Sequence, residues 1–228
     1  MSPPRIPRGR LHYAWIVAGV TFLTLLAAAA IRSTPAVLMI PVEREFHWSR
    51  AVVSLAVSVN LLCYGLFGPF AAALMDRIGL RRIMLISLAM VASGVALATL
   101  VREPWQLVLL WGVVVGLGTG TTAMVLGATV ATRWFVERRG LVIGILTAST
   151  ATGQLLFLPL LASVVVRFGW RAGILGVAGV AVVVLPIVAI FMRDDPREVG
   201  LRPFGADADE VGAARSGANP AAAALRAL

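Results

Sequence analysis

Six long apolar runs, separated by short charged stretches, limit what this chain can fold into. Each run has about 20 residues or more, the length that a helix needs to cross roughly 30 Å of hydrocarbon. The runs are continuous and lack the two-residue alternation of a membrane barrel, so helices are the permitted spanning structure. We predict helices over residues 14–40, 51–75, 83–101, 105–132, 140–166 and 172–192. The sequence therefore predicts an all-α membrane protein with six transmembrane helices.

Composition supports the same class. The chain of 228 residues is 59% hydrophobic and 14% charged, with a mean hydropathy of +0.90. A soluble domain of this length cannot bury so much apolar surface. The net charge of +9 comes from Arg residues spread singly between apolar runs, which is typical of loops at a membrane surface. We therefore expect the lipid bilayer as a partner and no nucleic acid.

An internal repeat relates the two halves of the chain. Segments 66–82 and 156–171 align at a constant offset of 90 residues, and their identities include Pro, Gly and Arg, which are not filler in a membrane run. The identities are Leu66/Leu156, Phe67/Phe157, Pro69/Pro159, Ala72/Ala162, Arg77/Arg167, Gly79/Gly169 and Arg81/Arg171. We predict a bundle over 13–192 that is built from repeats at about 13–101 and 105–192. A unit of three helices reverses its direction when it recurs, so the two repeats should be inverted.

The Arg residues predict an orientation. With the N-terminus inside, fourteen Arg residues fall in cytoplasmic segments and five in outside loops. The positive-inside rule then places both termini in the cytoplasm. Residues 1–12 form a cytoplasmic N-terminus, and residues 193–228, polar and then rich in Ala and Gly, read as a flexible cytoplasmic connector. We expect a multi-pass protein of a bacterial-type inner membrane.

The turn between the second and third helices carries a motif, namely Ala72, Asp76, Arg77, Gly79, Arg81 and Arg82. It resembles the loop 2–3 motif of the major facilitator superfamily, with Ala72 where Gly is usual and Leu80 where the first basic residue is usual. The runs 133–135 (RWF) and 138–140 (RRG) are similar to the oxalate/formate antiporter and monocarboxylate porter branch. The resemblance covers nearly the whole chain.

This resemblance implies the N-terminal six-helix half of a secondary transporter. The implied function is alternating-access transport of small organic anions, mono- or dicarboxylates. The implied partner is a C-terminal six-helix half, because about as much chain again is expected beyond residue 228. We expect no transport by this polypeptide alone unless it pairs with itself or with such a half.

The resemblance also implies that the motif steadies one conformational state. In the superfamily, the Asp and its basic neighbours belong to a charge network that holds the outward-open state. The turn itself does not need the carboxylate of Asp76, because Val166 stands at the equivalent position of the second repeat. We expect Arg77 or Arg81 to reach Glu137, the only acid in loop 4–5. The alternative for the Arg residues, including Arg82, is a solvated positive turn.

Arg32 lies inside the first predicted span, and none of the six predicted spans contains Asp or Glu. A charge near the membrane centre costs about 2.5–3.5 kcal/mol on insertion scales, so it should face a cavity or a partner. An anionic substrate fits, because a guanidinium can hold a carboxylate with two parallel hydrogen bonds. The alternatives are that Arg32 extends to the lipid interface or pairs with an acid in a second half.

Other polar residues inside the spans are candidates for the same cavity. Asn60 and Tyr64 share a face of the second helix, and Thr150 and Gln154 occupy the equivalent places of the fifth. We expect them to bind substrate, with interhelical hydrogen bonds as the alternative. Glycines 112, 116 and 120 form a stripe that predicts close helix packing.

Two other functions stay open. A drug or sugar carrier of the same superfamily would transport neutral or bulky solutes. A transporter half that acts as a membrane scaffold would bind a partner protein and no substrate. The six spans lack the clusters of His, Asp or Glu that an integral-membrane enzyme needs, so we predict no enzyme activity and no cofactor or metal.

Overall fold

Six helices in the computed structural model are long and apolar enough to cross a membrane. The structure describes residues 12–122 and 124–206. We number the helices α1 to α6 in chain order. They are α1 Tyr13–Phe46, α2 Arg50–Ile78, α3 Leu80–Leu97, α4 Pro104–Trp134, α5 Arg139–Phe168 and α6 Trp170–Phe191. Short 3-10 turns follow α3 at Ala98–Leu100 and α6 at Pro196–Val199. The predicted all-α architecture with six spans is confirmed.

Two helices differ from their predicted form. Helix α1 continues to Phe46, six residues beyond the predicted end, and its 34 residues measure about 51 Å. That exceeds the roughly 30 Å of hydrocarbon, so its last turns and its acids Glu43 and Glu45 project beyond the apolar layer. Helix α4 is π-helical over Val108–Val115, a form that sequence periodicity does not reveal.

The two repeated turns lie at opposite ends of the bundle. We call the end at which α1 begins the proximal end and the other the distal end. Gly79 joins α2 to α3 with a φ of +100°, and it lies against Asp194, which follows α6 at the proximal end. Gly169 joins α5 to α6 with a φ of +84°, and the next residues contact Glu45 at the distal end of α1. The predicted inversion of the repeats is confirmed.

A reciprocal pair of contacts reports the same two-fold relation. The Arg81 guanidinium donates to the carbonyl oxygen of Ala189 in the last turn of α6. Its equivalent, Arg171, donates to the carbonyl oxygen of Thr99 just after α3, at 3.3 Å. Both the donors and the acceptors are 90 residues apart in sequence. Each repeat therefore satisfies an otherwise unpaired carbonyl group at the helix end of the other repeat.

The helices differ in how much of their surface the bundle covers. Most of α1 is buried, and its Thr21 and Thr24 hydroxyl groups donate to carbonyl oxygens of their own helix. Helices α2 and α5 are the least buried and expose large apolar side chains. These include Leu61, Leu62, Leu66 and Phe70 on α2 and Leu155, Leu156 and Leu160 on α5. Lipid or another protein must cover these two faces.

The segment after α6 packs against the proximal end as far as the structure describes it. The backbone N–H of Phe204 donates to the Trp134 carbonyl oxygen at 2.8 Å, and the Phe204 carbonyl oxygen accepts from Val136 at 2.9 Å. The Phe204 ring contacts Trp15 and Phe135. Residues 193–206 of the predicted flexible connector are thus docked on the bundle. Residues 207–228 and 1–11, predicted as connector and cytoplasmic N-terminus, lie outside the described residues.

Candidate functional site

A cavity of about 250 Å³ lies between α1, α2 and α4. Arg32, Asn60 and Tyr64, three of the predicted binding residues, line it together. The other lining residues are Ile31, Pro35, Ala36, Val57, Leu61, Trp111 and Thr119. Arg32 lies about 4 Å beyond the midpoint of α1, and Tyr64 and Thr119 lie at the midpoints of α2 and α4. The cavity is therefore close to mid-depth in the bundle; we call it the Arg32 cavity.

The guanidinium of Arg32 is placed over an aromatic face. Its Cζ atom lies 4.6 Å from the centroid of the Tyr64 ring, a cation–π contact. None of the carboxylates in the described part of the chain forms a salt bridge with Arg32. The stacked guanidinium keeps its N–H groups at its edge, where an anion in the cavity can accept from them.

Asn60 links α2 to α4 at the cavity wall. Its side-chain Nδ2 donates to the carbonyl oxygen of Trp111 at 2.7 Å. Trp111 lies in the π-helical part of α4, where the backbone pairing is shifted. Asn60 therefore lines the cavity and also makes an interhelical hydrogen bond, so both of the roles considered for it from the sequence are compatible with its position.

The predicted glycine stripe on α4 sets the distance between α4 and α2. An ideal Cβ at Gly116 would lie 3.0 Å from the Asn60 Cα atom, and one at Gly120 would lie 3.0 Å from the Tyr64 Cα atom. Gly112 is equally close to Val59. The prediction of a packing stripe is confirmed, and the stripe faces the two cavity residues of α2.

Thr150 and Gln154 lie outside the Arg32 cavity, so their role in substrate binding stays a prediction. The Thr150 hydroxyl group donates to the Thr147 carbonyl oxygen of its own helix at 2.7 Å, and Gln154 is exposed. The reason is the inverted repeat. Helix α2 packs along α4, whereas its copy α5 packs along α1, where Gly153 meets Ala29. Because α1 is the copy of α4, these are the two equivalent seams of the inverted repeat, and Thr150 and Gln154 lie on the second of them.

The motif at the proximal end forms an ion pair that the sequence did not predict. Asp76 pairs with Arg133 at the end of α4. Glu137 makes no salt bridge with Arg77 or Arg81 among the described residues. Its backbone N–H donates to Phe204 at 3.2 Å, and its side chain lies against the segment that follows α6. Among the described residues, the ion pair of the motif is therefore Asp76–Arg133, while the Glu137 side chain faces the segment that follows α6.

Gly79, Arg81 and Asp194 form the rest of this cluster. The Asp194 carboxylate accepts from the backbone N–H of Arg81 at 2.5 Å, at the N-terminus of α3. A Cβ at Gly79 would lie 2.5 Å from that carboxylate, and its φ of +100° also favours glycine. Arg77 and Arg82 lie outside these pairings, and both are exposed.

Sequence reasoning missed four residues of these sites. Trp111 and Thr119 line the Arg32 cavity, and Arg133 and Asp194 complete the motif cluster. The glycine stripe was the sequence signal that marked one face of α4 for close packing, and in the structure this face meets α2. Asp194 gave no signal, since it lies 113 residues from Arg81.

Two inverted three-helix units, a cationic cavity close to mid-depth and a charged motif at one end define one bundle of a multi-pass membrane transporter. Residues 20–227 match the family model of the Major Facilitator Superfamily. The chain therefore belongs to the Major Facilitator Superfamily, and the resemblance noted from its loop motif is confirmed.

Individual relatives are similar at low identity. The chain is 26% identical to the MFS-type transporter YcxA of Bacillus subtilis, over 80% of this chain and 45% of that protein. It is 26% identical to monocarboxylate transporter 14 of Homo sapiens, over 87% of this chain and 40% of that protein. Monocarboxylate transporter 3 of Mus musculus is 28% identical over 72% and 33% of the two chains. The chain thus spans less than half the length of these relatives, which are transporters and not enzymes.

Proposed function

We propose that this chain is one six-helix bundle of a secondary transporter of small organic anions, in which Arg32 binds the substrate carboxylate. The observation that carries the proposal is the stacked guanidinium near mid-depth, in a cavity of about 250 Å³, without a carboxylate partner in the described residues. Relatives named monocarboxylate transporters support the same class of substrate.

The energetics of Arg32 favour an anionic ligand. A guanidinium at this depth costs about 2.5–3.5 kcal/mol on insertion scales. A carboxylate that accepts two parallel hydrogen bonds offsets this cost, whereas a neutral sugar or drug leaves the charge uncompensated. Tyr64 holds one face of the guanidinium, so the ligand is received at its edge. The remaining walls of the cavity are mostly apolar and suit the short alkyl part of a monocarboxylate.

The transport cycle requires a second bundle. In alternating access, two bundles rock about a site near the midplane, and one bundle supplies part of its walls. The exposed apolar faces of α2 and α5 are where a second six-helix bundle would pack. In this proposal the proximal end is cytoplasmic, in a bacterial-type inner membrane, because most Arg residues lie in segments that the positive-inside rule assigns to that side. Exchange of one anion for another is the proposed mode.

The motif at the proximal end is proposed to steady the outward-open state. The Asp76–Arg133 pair joins the ends of α2 and α4, and Arg81 joins α3 to α6 through Ala189. These contacts hold the proximal end of the bundle together as one body, which rocking requires. Arg77, Arg82, Gly79 and Glu137 complete this proposed conformational site.

Carboxylate binding tests the proposal directly. The chain is inserted in nanodiscs, and the line broadening of ¹³C-labelled acetate is compared with that of acetamide, its neutral analogue. We expect acetate to bind the wild-type chain, and binding to fall at least tenfold in Arg32→Gln. Arg102→Gln, an exposed Arg at the distal end, is the matched control and should keep wild-type binding. Acetate binding that survives Arg32→Gln would contradict the proposal, and binding of neutral solutes would favour a drug or sugar carrier.

A further inference from the structure

Two cavities adjoin along the seam of α1, α2 and α4. The second, of about 40 Å³, lies on the distal side of the Arg32 cavity; we call it the distal cavity. Pro35, Val57 and Trp111 line both cavities, one residue from each helix. Trp111 has by far the largest side chain of the three. It is 5% exposed, so it is packed between its neighbours.

The two cavities differ in chemistry. The Arg32 cavity contains the guanidinium of Arg32 and the polar groups of Asn60 and Tyr64. The distal cavity is lined by buried apolar side chains, among them Leu38, Val42 and Val53. A ligand that reached through both would have an anionic head at Arg32 and an alkyl tail of several carbons.

Trp111 is fixed at this boundary from two sides. Its carbonyl oxygen accepts from the Asn60 amide at 2.7 Å. The next residue, Gly112, lies so close to α2 that a Cβ there would be 3.0 Å from the side chain of Val59. The α4 backbone at Trp111 is therefore held against α2, and its indole has little freedom to move aside.

We propose that Trp111 determines the chain length of the carboxylate that this bundle accepts. With tryptophan, the Arg32 cavity ends at the indole and takes short-chain carboxylates. With a smaller residue, the two cavities become one slot that takes longer alkyl chains. This inference rests on the proposed function, because it assumes that the carboxylate is held at Arg32.

The test measures the binding of acetate, butyrate and hexanoate to the chain in nanodiscs, each corrected for the signal of Arg32→Gln to remove partition into lipid. For the wild type we expect no gain in affinity from butyrate to hexanoate. For Trp111→Leu we expect a gain of about fourfold per added methylene, as for an alkyl chain that becomes buried. Trp111→Phe, a smaller change, should give a weaker gain in the same direction, and circular dichroism shows whether each variant is folded.

Val53→Leu is the matched control, because Val53 lines the distal cavity and not the Arg32 cavity. Alone it should leave butyrate binding unchanged, and combined with Trp111→Leu it should reduce the gain for hexanoate. The inference is overturned if folded Trp111→Leu and Trp111→Phe keep the wild-type chain-length profile, or if the wild type already gains affinity with each methylene. If Arg32→Gln does not weaken acetate binding, the proposed function fails instead.

Discussion

Gly116→Ala tests whether the glycine stripe sets the spacing of α2 and α4. An ideal Cβ at Gly116 would lie 3.0 Å from the Cα atom and the carbonyl oxygen of Asn60, and 3.0 Å from the Cβ atom of Cys63. Two of these three atoms belong to the backbone of α2 and cannot rotate away. The methyl group therefore forces the two helices apart by a few tenths of an ångström.

The cost of Gly116→Ala is the balance of two effects. Overpacking a close contact typically costs about 1–3 kcal/mol. Alanine is a better helix former than glycine by about 1 kcal/mol, which partly hides that cost. Gly144→Ala in α5 separates the effects, because no atom beyond the adjoining helix backbone lies within 4 Å of the ideal Cβ position there and the helical advantage is the same. We expect Gly116→Ala to be less stable than Gly144→Ala by about 1–3 kcal/mol.

Unfolding in mixed micelles with increasing SDS, followed by circular dichroism, measures this difference. A second readout is acetate affinity, which we expect to fall in Gly116→Ala alone, since separation of the helices lengthens the 2.7 Å bond from Asn60 to Trp111. Equal stability of the two variants, within about 0.5 kcal/mol, would refute the close contact between α4 and the α2 backbone.

Three further predictions concern the proximal end. In a double-mutant cycle of Asp76→Asn and Arg133→Gln, we expect a coupling free energy of unfolding of at most about 1 kcal/mol, because the Asp76 side chain is 70% exposed. A coupling free energy of zero would argue against the pair. Phe204→Ala removes buried apolar surface, so it should lower the free energy of unfolding by about 1–3 kcal/mol and make segment 193–206 more sensitive to limited proteolysis. Unchanged cleavage would show that the Phe204 ring does not fix this segment on the bundle. Burial lowers the pKa of His12, against a smaller rise from the backbone of Arg202, so the unfolded chain binds the proton more readily. The free energy of unfolding should therefore fall as the pH drops below about 6.5, which melting curves at a series of pH values would measure. His12→Asn keeps a side-chain acceptor for the helix N-terminus and should remove this pH dependence.

The topology could be predicted from the sequence because lipid leaves few choices. A backbone in hydrocarbon must pair its polar groups within a helix, so long apolar runs specify helices and their number. An odd number of helices in each repeat then inverts the second copy. The loop motif resembled one superfamily closely enough to be confirmed by the family match.

The candidate site could be predicted only in part. Arg32 could be predicted because a charge inside a membrane span has a high transfer free energy, and Asn60 and Tyr64 because they share a polar helix face. These three residues do meet in one cavity. Thr150 and Gln154 lie outside this cavity, because α5 packs along α1, the seam that the two-fold relation pairs with that of α2 and α4, so their role in substrate binding stays a prediction. Trp111 was hidden because an aromatic residue in an apolar run carries no signal.

The sequence by itself thus determined the helices, their alternating direction and the charge of Arg32 within a span, because these follow from transferring residues into lipid one at a time. Only the tertiary structure decided which side chains meet. The pairing of Asp76 with Arg133, the capping of α3 by Asp194 and the position of Trp111 between two cavities depend on how each helix is rotated and spaced. Rotation and spacing are set by contacts between distant segments. The glycine stripe marked a close-packing face of α4, but no local pattern of residues identifies the segment that meets such a face.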